Sequence, residues 1–149
     1  MRELFDTRAI RASGVIQGGF ALEKVTCDID EAIEGVRFIL IVTPAFAHGP
    51  YARLLRGRVN SDQVIVVYPG AFAGLLFRTA FGDDDCPVVA EVNNLPYDAR
   101  LIGPAQVAIY GHNKVNIAFM PADKGRVDQI MAYVSTGNRA QSEALGATR

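Results

Sequence analysis

Residues 37–70 read RFILIVTPAFAHGPYARLLRGRVNSDQVIVVYPG, and the reading of this stretch decides the fold. It opens on one unbroken apolar run, Phe38 to Val42, and closes on another, Val64 to Tyr68. Runs this short and this apolar predict strands, Arg37–Val42 and Gln63–Tyr68, buried on both faces in a parallel sheet. Between them His48–Arg56 has a helical pattern, with Pro50 suited to a first turn and Tyr51, Leu54 and Leu55 on one side. Strand, helix and strand in about 30 residues make one βαβ unit.

Working outward, the alternation continues in both directions. Downstream, Ala71–Phe81 predicts a helix ended by Gly82, and Pro87–Val92 a further strand whose entry proline is tolerated at the first position. Upstream, Asp28 is placed to cap a short helix running to Gly35, with Glu31 three residues later as its reciprocal partner. Short two-sided strands separated by helices predict an α/β fold with a doubly wound, mostly parallel sheet covered on both sides. Ala105–Tyr110 and Val115–Phe119, flanking Gly111–Lys114, are expected to add an antiparallel hairpin at its edge. Lys124–Val134 predicts a last amphipathic helix stopped by Gly137, with 138–149 a mobile tail, so the domain spans 1–136 and the tail 137–149. At the front, Glu3–Ala12 is expected to be helical and to stop at Ser13-Gly14. Val15-Ile16-Gln17 and Leu22–Cys27 are expected to be extended around a Gly18-Gly19 turn.

The bulk properties narrow the partners. The 149 residues carry 15 basic and 16 acidic side chains, a net charge of −1 with no long run of either sign. Nothing in that balance calls for nucleic acid or an anionic membrane. The apolar runs fall far short of the roughly 20 residues that cross a bilayer, and the first residues contain no secretory core, so a soluble cytoplasmic protein is expected. Cys27 and Cys86 have neither disulfide-framework nor metal-ligand spacing and are expected to be reduced packing residues; no metal site is expected.

Ligands of an open parallel sheet bind outside the carboxyl ends of its strands, here just after Val42, Tyr68 and Val92. The first exit is Thr43-Pro44-Ala45-Phe46-Ala47-His48, where proline stiffens the turn and small residues let a flat ligand approach the backbone. The second, Pro69-Gly70-Ala71, is expected to leave backbone amides free at a helix start. The third packs Glu91, Asn93, Asn94, Tyr97 and Arg100 into ten residues at a strand's end.

Together these exits carry a resemblance. Ile41–His48, Val67-Tyr68-Pro69-Gly70, Ala90-Glu91 with Leu95-Pro96-Tyr97, and Arg100-Leu101-Ile102-Gly103-Pro104 resemble, in order and spacing, the octopine/nopaline (opine) dehydrogenase family. Ketopantoate reductase and glycerol-3-phosphate dehydrogenase have related nucleotide domains. The resemblance runs from about Gly14 to Ala122 and implies a Rossmann-like domain binding NAD or NADP. It also implies reduction of the imine formed between a 2-oxo acid and an amino acid, the hydride chemistry being the cofactor's. By the same resemblance Thr43, Pro44, Phe46, Pro69, Gly70 and Asn93 would border the cofactor, while Glu91, Tyr97 and Arg100 would face substrate. The chain has Asn94 where the family commonly has a hydroxyl residue and Asp98 where it has a cysteine, so substrate preference is not carried over.

What the family has and these residues do not is the opening strand with its G-x-G-x-x-G turn, which binds the pyrophosphate. Gly14–Gly19 has the wrong glycine spacing and no following helix. The expectation is a partial Rossmann-like sheet, truncated at both ends, with the absent first strand's place between Val25–Cys27 and Arg37–Val42. Two open ladder edges would then favour a homo-oligomer or a complementary chain. The family's helical domain, with its catalytic histidine, is missing too; His48 and His112 are expected to be non-catalytic, and no catalytic residue is assigned. The chain alone is therefore expected to be inactive as an oxidoreductase, and the alternative is a non-enzymatic Rossmann-like scaffold that dimerises or binds a partner protein.

Overall fold

The computed structural model describes residues 2–82, 86–120, 125, 127, 128 and 130–132. Along the chain run α1 (Arg2–Thr7), β1 (Ala9–Gly14), β2 (Gly18–Ala21), α2 (Ile29–Ile33), β3 (Phe38–Val42), α3 (His48–Leu55), β4 (Val64–Tyr68), α4 (Ala73–Phe81), β5 (Val88–Val92), β6 (Tyr97–Gly103), β7 (Gln106–His112) and β8 (Ile117–Met120). The described residues from 125 to 132 are helical, while the ends expected for that helix, Gly137 and the tail lie outside the described residues. Among the described residues no helix is long and apolar enough to cross a membrane.

The apolar runs form the first of two four-stranded sheets, in the order β3-β4-β5-β8. β3, β4 and β5 are parallel and nearly level, Phe38 pairing Val64 and Val64 pairing Val88, so their carboxyl ends lie side by side. One face packs Ile41, Ile65, Val67 and Val89 against Ile33 of α2, Ala52 and Leu55 of α3, and Phe77 and Phe81 of α4. The other packs Val64, Val66, Val88, Ala90 and Val92 against Ile130, with Ile117 and Phe119 alongside. At about 1.5–3 kcal/mol for each fully buried aliphatic or aromatic side chain, this three-layer core carries most of the fold's stability.

β3 departs from the expectation of burial on both faces. Leu40 is 59% and Val42 61% exposed. The physical reason is position: β4 is β3's one strand neighbour among the described residues, and Ile130 covers β4 and β5 instead. A cleft of about 430 Å³ runs along β3, lined by residues of α2, β3 and α3 and reaching Thr43.

The second sheet has the order β2-β1-β7-β6 and was not foreseen as a separate layer. The expected helix Glu3–Ala12 stops at Thr7, where Arg8 takes a left-handed φ of 47°, and Ala9–Gly14 becomes a strand parallel to β7. Pairing with a distant strand overrides local helical preference there. The Gly18-Gly19 turn is also corrected: both glycines lie inside β2, and Val15–Gln17 makes the turn. Leu22–Cys27, including the strand expected at Val25–Cys27, is not part of a strand.

The expected hairpin of 105–110 with 115–119 is corrected as well. Gln106–His112 pairs with Tyr97–Gly103 across Pro104-Ala105, where Ala105 has φ 51°. Proline followed by a left-handed residue suits a tight type II turn. Ile117–Met120 instead adds antiparallel to β5 at the edge of the first sheet. Of the two cysteines expected to be packing residues, Cys86 is half-buried and packs against the core, whereas Cys27 is exposed.

The capping of α2 is as expected at Asp28, whose carboxylate accepts from Asp30 N at 2.8 Å and Glu31 N at 3.2 Å. The reciprocal arm differs. Glu31 accepts from Thr26 Oγ1 at 2.6 Å, and Asp28 N donates to Thr26 Oγ1 at 3.0 Å, so threonine stands between the two.

Candidate functional site

Because Val42 pairs with Tyr68 and Val67 with Glu91, the segments leaving β3, β4 and β5 emerge side by side. The first folds into a single 3-10 turn, Ala45–Ala47, between Pro44 and α3. It is tied from beneath by His48, fully buried, whose Nε2 donates to Thr43 O at 3.3 Å. Thr43 Oγ1 and His48 Nδ1 are buried without a hydrogen-bond partner. Phe46, at the turn's crest, is 85% exposed. An unpartnered hydroxyl and an exposed aromatic ring thus stand three residues apart in the same short exit.

The second and third exits are locked together. Gly70 N donates to Val92 O at 2.7 Å, and Ala73 N to Gly70 O at 2.8 Å. Glu91 Oε1 accepts from Gly74 N at 2.8 Å, in the first turn of α4. Phe72 is that helix's N-cap residue and has no side-chain acceptor, so the carboxylate arrives from the neighbouring strand. Space for it is made by two glycines: a Cβ on Gly70 would lie 2.6 Å from Glu91 Cβ, and one on Gly74 would lie 2.8 Å from Glu91 Oε1. The helix-start amides expected to face the crevice are thus largely satisfied within the protein.

Between Gly70 and α4 the backbone is strained. Ala71 and Phe72 take left-handed φ values of 46° and 64°, each costing on the order of 1–3 kcal/mol for a residue with a side chain. Phe72 is 81% exposed. The expected helix Ala71–Phe81 would have placed this residue inside its first turn; α4 begins at Ala73 instead, and Phe72 precedes it.

The remaining candidates divide. Asn93 is exposed and holds the chain crossing: its N–H donates to Asn116 O at 3.1 Å, and its Oδ1 accepts from Asn116 N at 2.7 Å. Tyr97 stands at the start of β6, its ring centroid 5.6 Å from that of His112. Burial, and secondarily Tyr97, raises the pKa of Tyr68 above the ordinary phenol value, which keeps the Tyr68 phenol neutral at physiological pH. Arg100 lies farther along β6, its guanidinium exposed, 3.3 Å from Asp98 and 2.9 Å from Ala99 O. The structure therefore gathers Thr43, Pro44, Phe46, Pro69, Gly70, Glu91 and Asn93 at one sheet end, brings Tyr97 beside Tyr68, and leaves Arg100 on the second sheet.

Parallel strands wrapped on both faces, with their exits forming a crevice, define a Rossmann-like α/β nucleotide-binding fold. No protein-family profile matches the chain. Opine dehydrogenase of Arthrobacter sp. (strain 1C) is 30% identical over 129 residues, covering 83% of this chain and 36% of that protein. Octopine dehydrogenase solved with NADH and pyruvate superimposes with a TM-score of 0.67 at 19% identity, over 78% of this chain and 32% of that one. A 2-dehydropantoate 2-reductase of Enterococcus faecalis gives 0.65 at 14% identity, over 93% and 43%. The chain is similar to the nucleotide-binding part of the opine dehydrogenase family and spans about a third of the length of the curated relative.

Proposed function

We propose that the crevice at the ends of β3, β4 and β5 holds the nicotinamide end of NAD(H) or NADP(H), within an oxidoreductase that reductively condenses a 2-oxo acid with an amino acid. The observation carrying this reading is the side-by-side exit of three parallel strands whose sequences carry the resemblance to the opine dehydrogenase family. Thr43 Oγ1, orphaned at the first exit, and the exposed Phe46 fit a ribose and a planar ring; Pro44, Pro69, Gly70 and Asn93 complete the cofactor border. Glu91, Tyr97 and Arg100 are the proposed substrate-facing groups. The described residues offer no glycine-rich cradle for the pyrophosphate, so turnover by these residues alone is expected to be undetectable. The setting proposed is the cytoplasm, in keeping with cysteines that form no disulfide with each other.

Calorimetric titration with NADH and NADPH, on protein of checked solution mass, tests the reading. Micromolar binding, worth about 8 kcal/mol, is the expected result for at least one of the two, and no heat at millimolar nucleotide overturns it. A second reading, a scaffold that self-associates, is favoured by the open edge of β3 with Leu40 and Val42 exposed. It calls for a defined dimer in sedimentation that Leu40→Lys converts to monomer; a wild-type monomer at high concentration sinks it.

A further inference from the structure

The turn Pro69–Phe72 combines features that local packing does not account for. Two successive residues with side chains take left-handed φ, and the second leaves a phenyl ring 81% exposed at the carboxyl end of β4. Relaxing either residue to an ordinary φ would remove strain and let the ring fold down. The turn is prevented from relaxing because it is fastened on both sides. Gly70 is hydrogen-bonded to Val92 O before it, and Gly74 to the Glu91 carboxylate after it. Glu91 is half-buried beneath Gly70, in a gap that any Cβ at that position would close.

We propose that Glu91 is a positioning residue whose carboxylate, fastened to Gly74 N and seated beneath Gly70, holds the strained turn so that the Phe72 ring stands at the crevice mouth to stack on a planar ring of the bound ligand. This rests on the nucleotide reading above and deepens it. It also changes the part played by Glu91: the carboxylate acts through a hydrogen bond to the helix and through its shape, and not through its charge. An amide of the same shape can do the same work.

That difference makes the proposal testable with Glu91→Gln, Glu91→Ala, Phe72→Ala and Phe72→Tyr, using NADH as the probe and the fluorescence of its reduced ring as the signal. Glu91→Gln and Phe72→Tyr are expected to bind within about twofold of wild type, and Glu91→Ala and Phe72→Ala about tenfold more weakly, toward the low end of what ring stacking supplies. Unchanged affinity in Phe72→Ala overturns the stacking role. Equal loss in Glu91→Gln and Glu91→Ala overturns the positioning role, since the charge would then be what matters. In parallel, NMR on the unliganded proteins reads the turn itself. Glu91→Ala should speed amide exchange at Gly74 and shift the Phe72 HN–Hα coupling away from its left-handed value, while Glu91→Gln preserves both. If wild type binds no NADH, the nucleotide reading fails and the stacking role with it. The coupling and exchange then decide the positioning of the turn by themselves, and no change in Glu91→Ala overturns it.

Discussion

At the scale of single residues, the exits of β4 and β5 show a glycine retained for space and not for conformation. Gly70 has no left-handed φ, yet a Cβ there would meet Glu91 Cβ at 2.6 Å and its backbone Cα at 3.1 Å. Backbone cannot swing aside, so Gly70→Ala is expected to destabilise by about 1–3 kcal/mol, the range for forced overpacking. Gly74→Ala should cost less. Its one contact under 3.0 Å is with the end of the Glu91 side chain, Met120 Cβ lying farther off at 3.3 Å, and alanine regains about 1 kcal/mol of helix propensity. Urea unfolding of both variants checks the ranking; equal losses would mean that Glu91 does not fill the gap under Gly70. The strand position of Glu91 was readable from sequence as a carboxylate at a strand's end. Its fastening to an amide seventeen residues earlier was not, because that bond exists only once β5 lies beside α4.

At the scale of elements, α2 is a helix of five residues, too short to persist on its own strength. It is held at its start by Asp28 and at its end by a residue from another element. Gln63, buried immediately before β4, donates from Nε2 to Ile33 O at 3.0 Å and to Val36 O at 2.9 Å. Its Oε1 accepts from Asn60 N at 3.0 Å. Gln63→Leu keeps the bulk and strands those carbonyls, so a loss of roughly 1–3 kcal/mol is expected, read as a lower urea midpoint at unchanged slope. A variant as stable as wild type would show that water replaces the amide. The periodicity of residues 63–68 marked Gln63 as a strand's first residue. Its reach back across thirty residues to the end of α2 had no local signature.

At the scale of the whole molecule, the two sheets differ in what protects them. β3, β4 and β5 bury most of their side chains between helical layers, whereas Ala12 and Ala108 are the buried hydrophobic residues of β2-β1-β7-β6 among those described. Hydrogen exchange should therefore divide the molecule, with the slowest amides in β4 and β5 and exchange through smaller openings in β2 and β6. Uniform protection across both sheets would refute that division and imply one cooperative unit. The chain passes from one sheet to the other at residues 93–96 and returns at 113–116, where Asn93 and Asn113 tie the two crossings by four hydrogen bonds. That places a candidate ligand residue, Asn93, at the joint of the molecule.

What the sequence determined by itself is the layered α/β plan, the three crevice-forming exits and the family to which they point. Each depends on contiguous residues: five-residue apolar runs, Asp28 before its helix, and the motifs that follow Val42, Tyr68 and Val92. What only the tertiary structure decided is which strand pairs with which and which groups are already engaged. β7 turned from its expected partner to β6 and β1, and β8 joined β5. β3 kept Leu40 and Val42 in solvent, and the Glu91 carboxylate took the helix start. Pairing and burial belong to residues brought together from distant parts of the chain, so alternation within a segment names a strand without naming its neighbours.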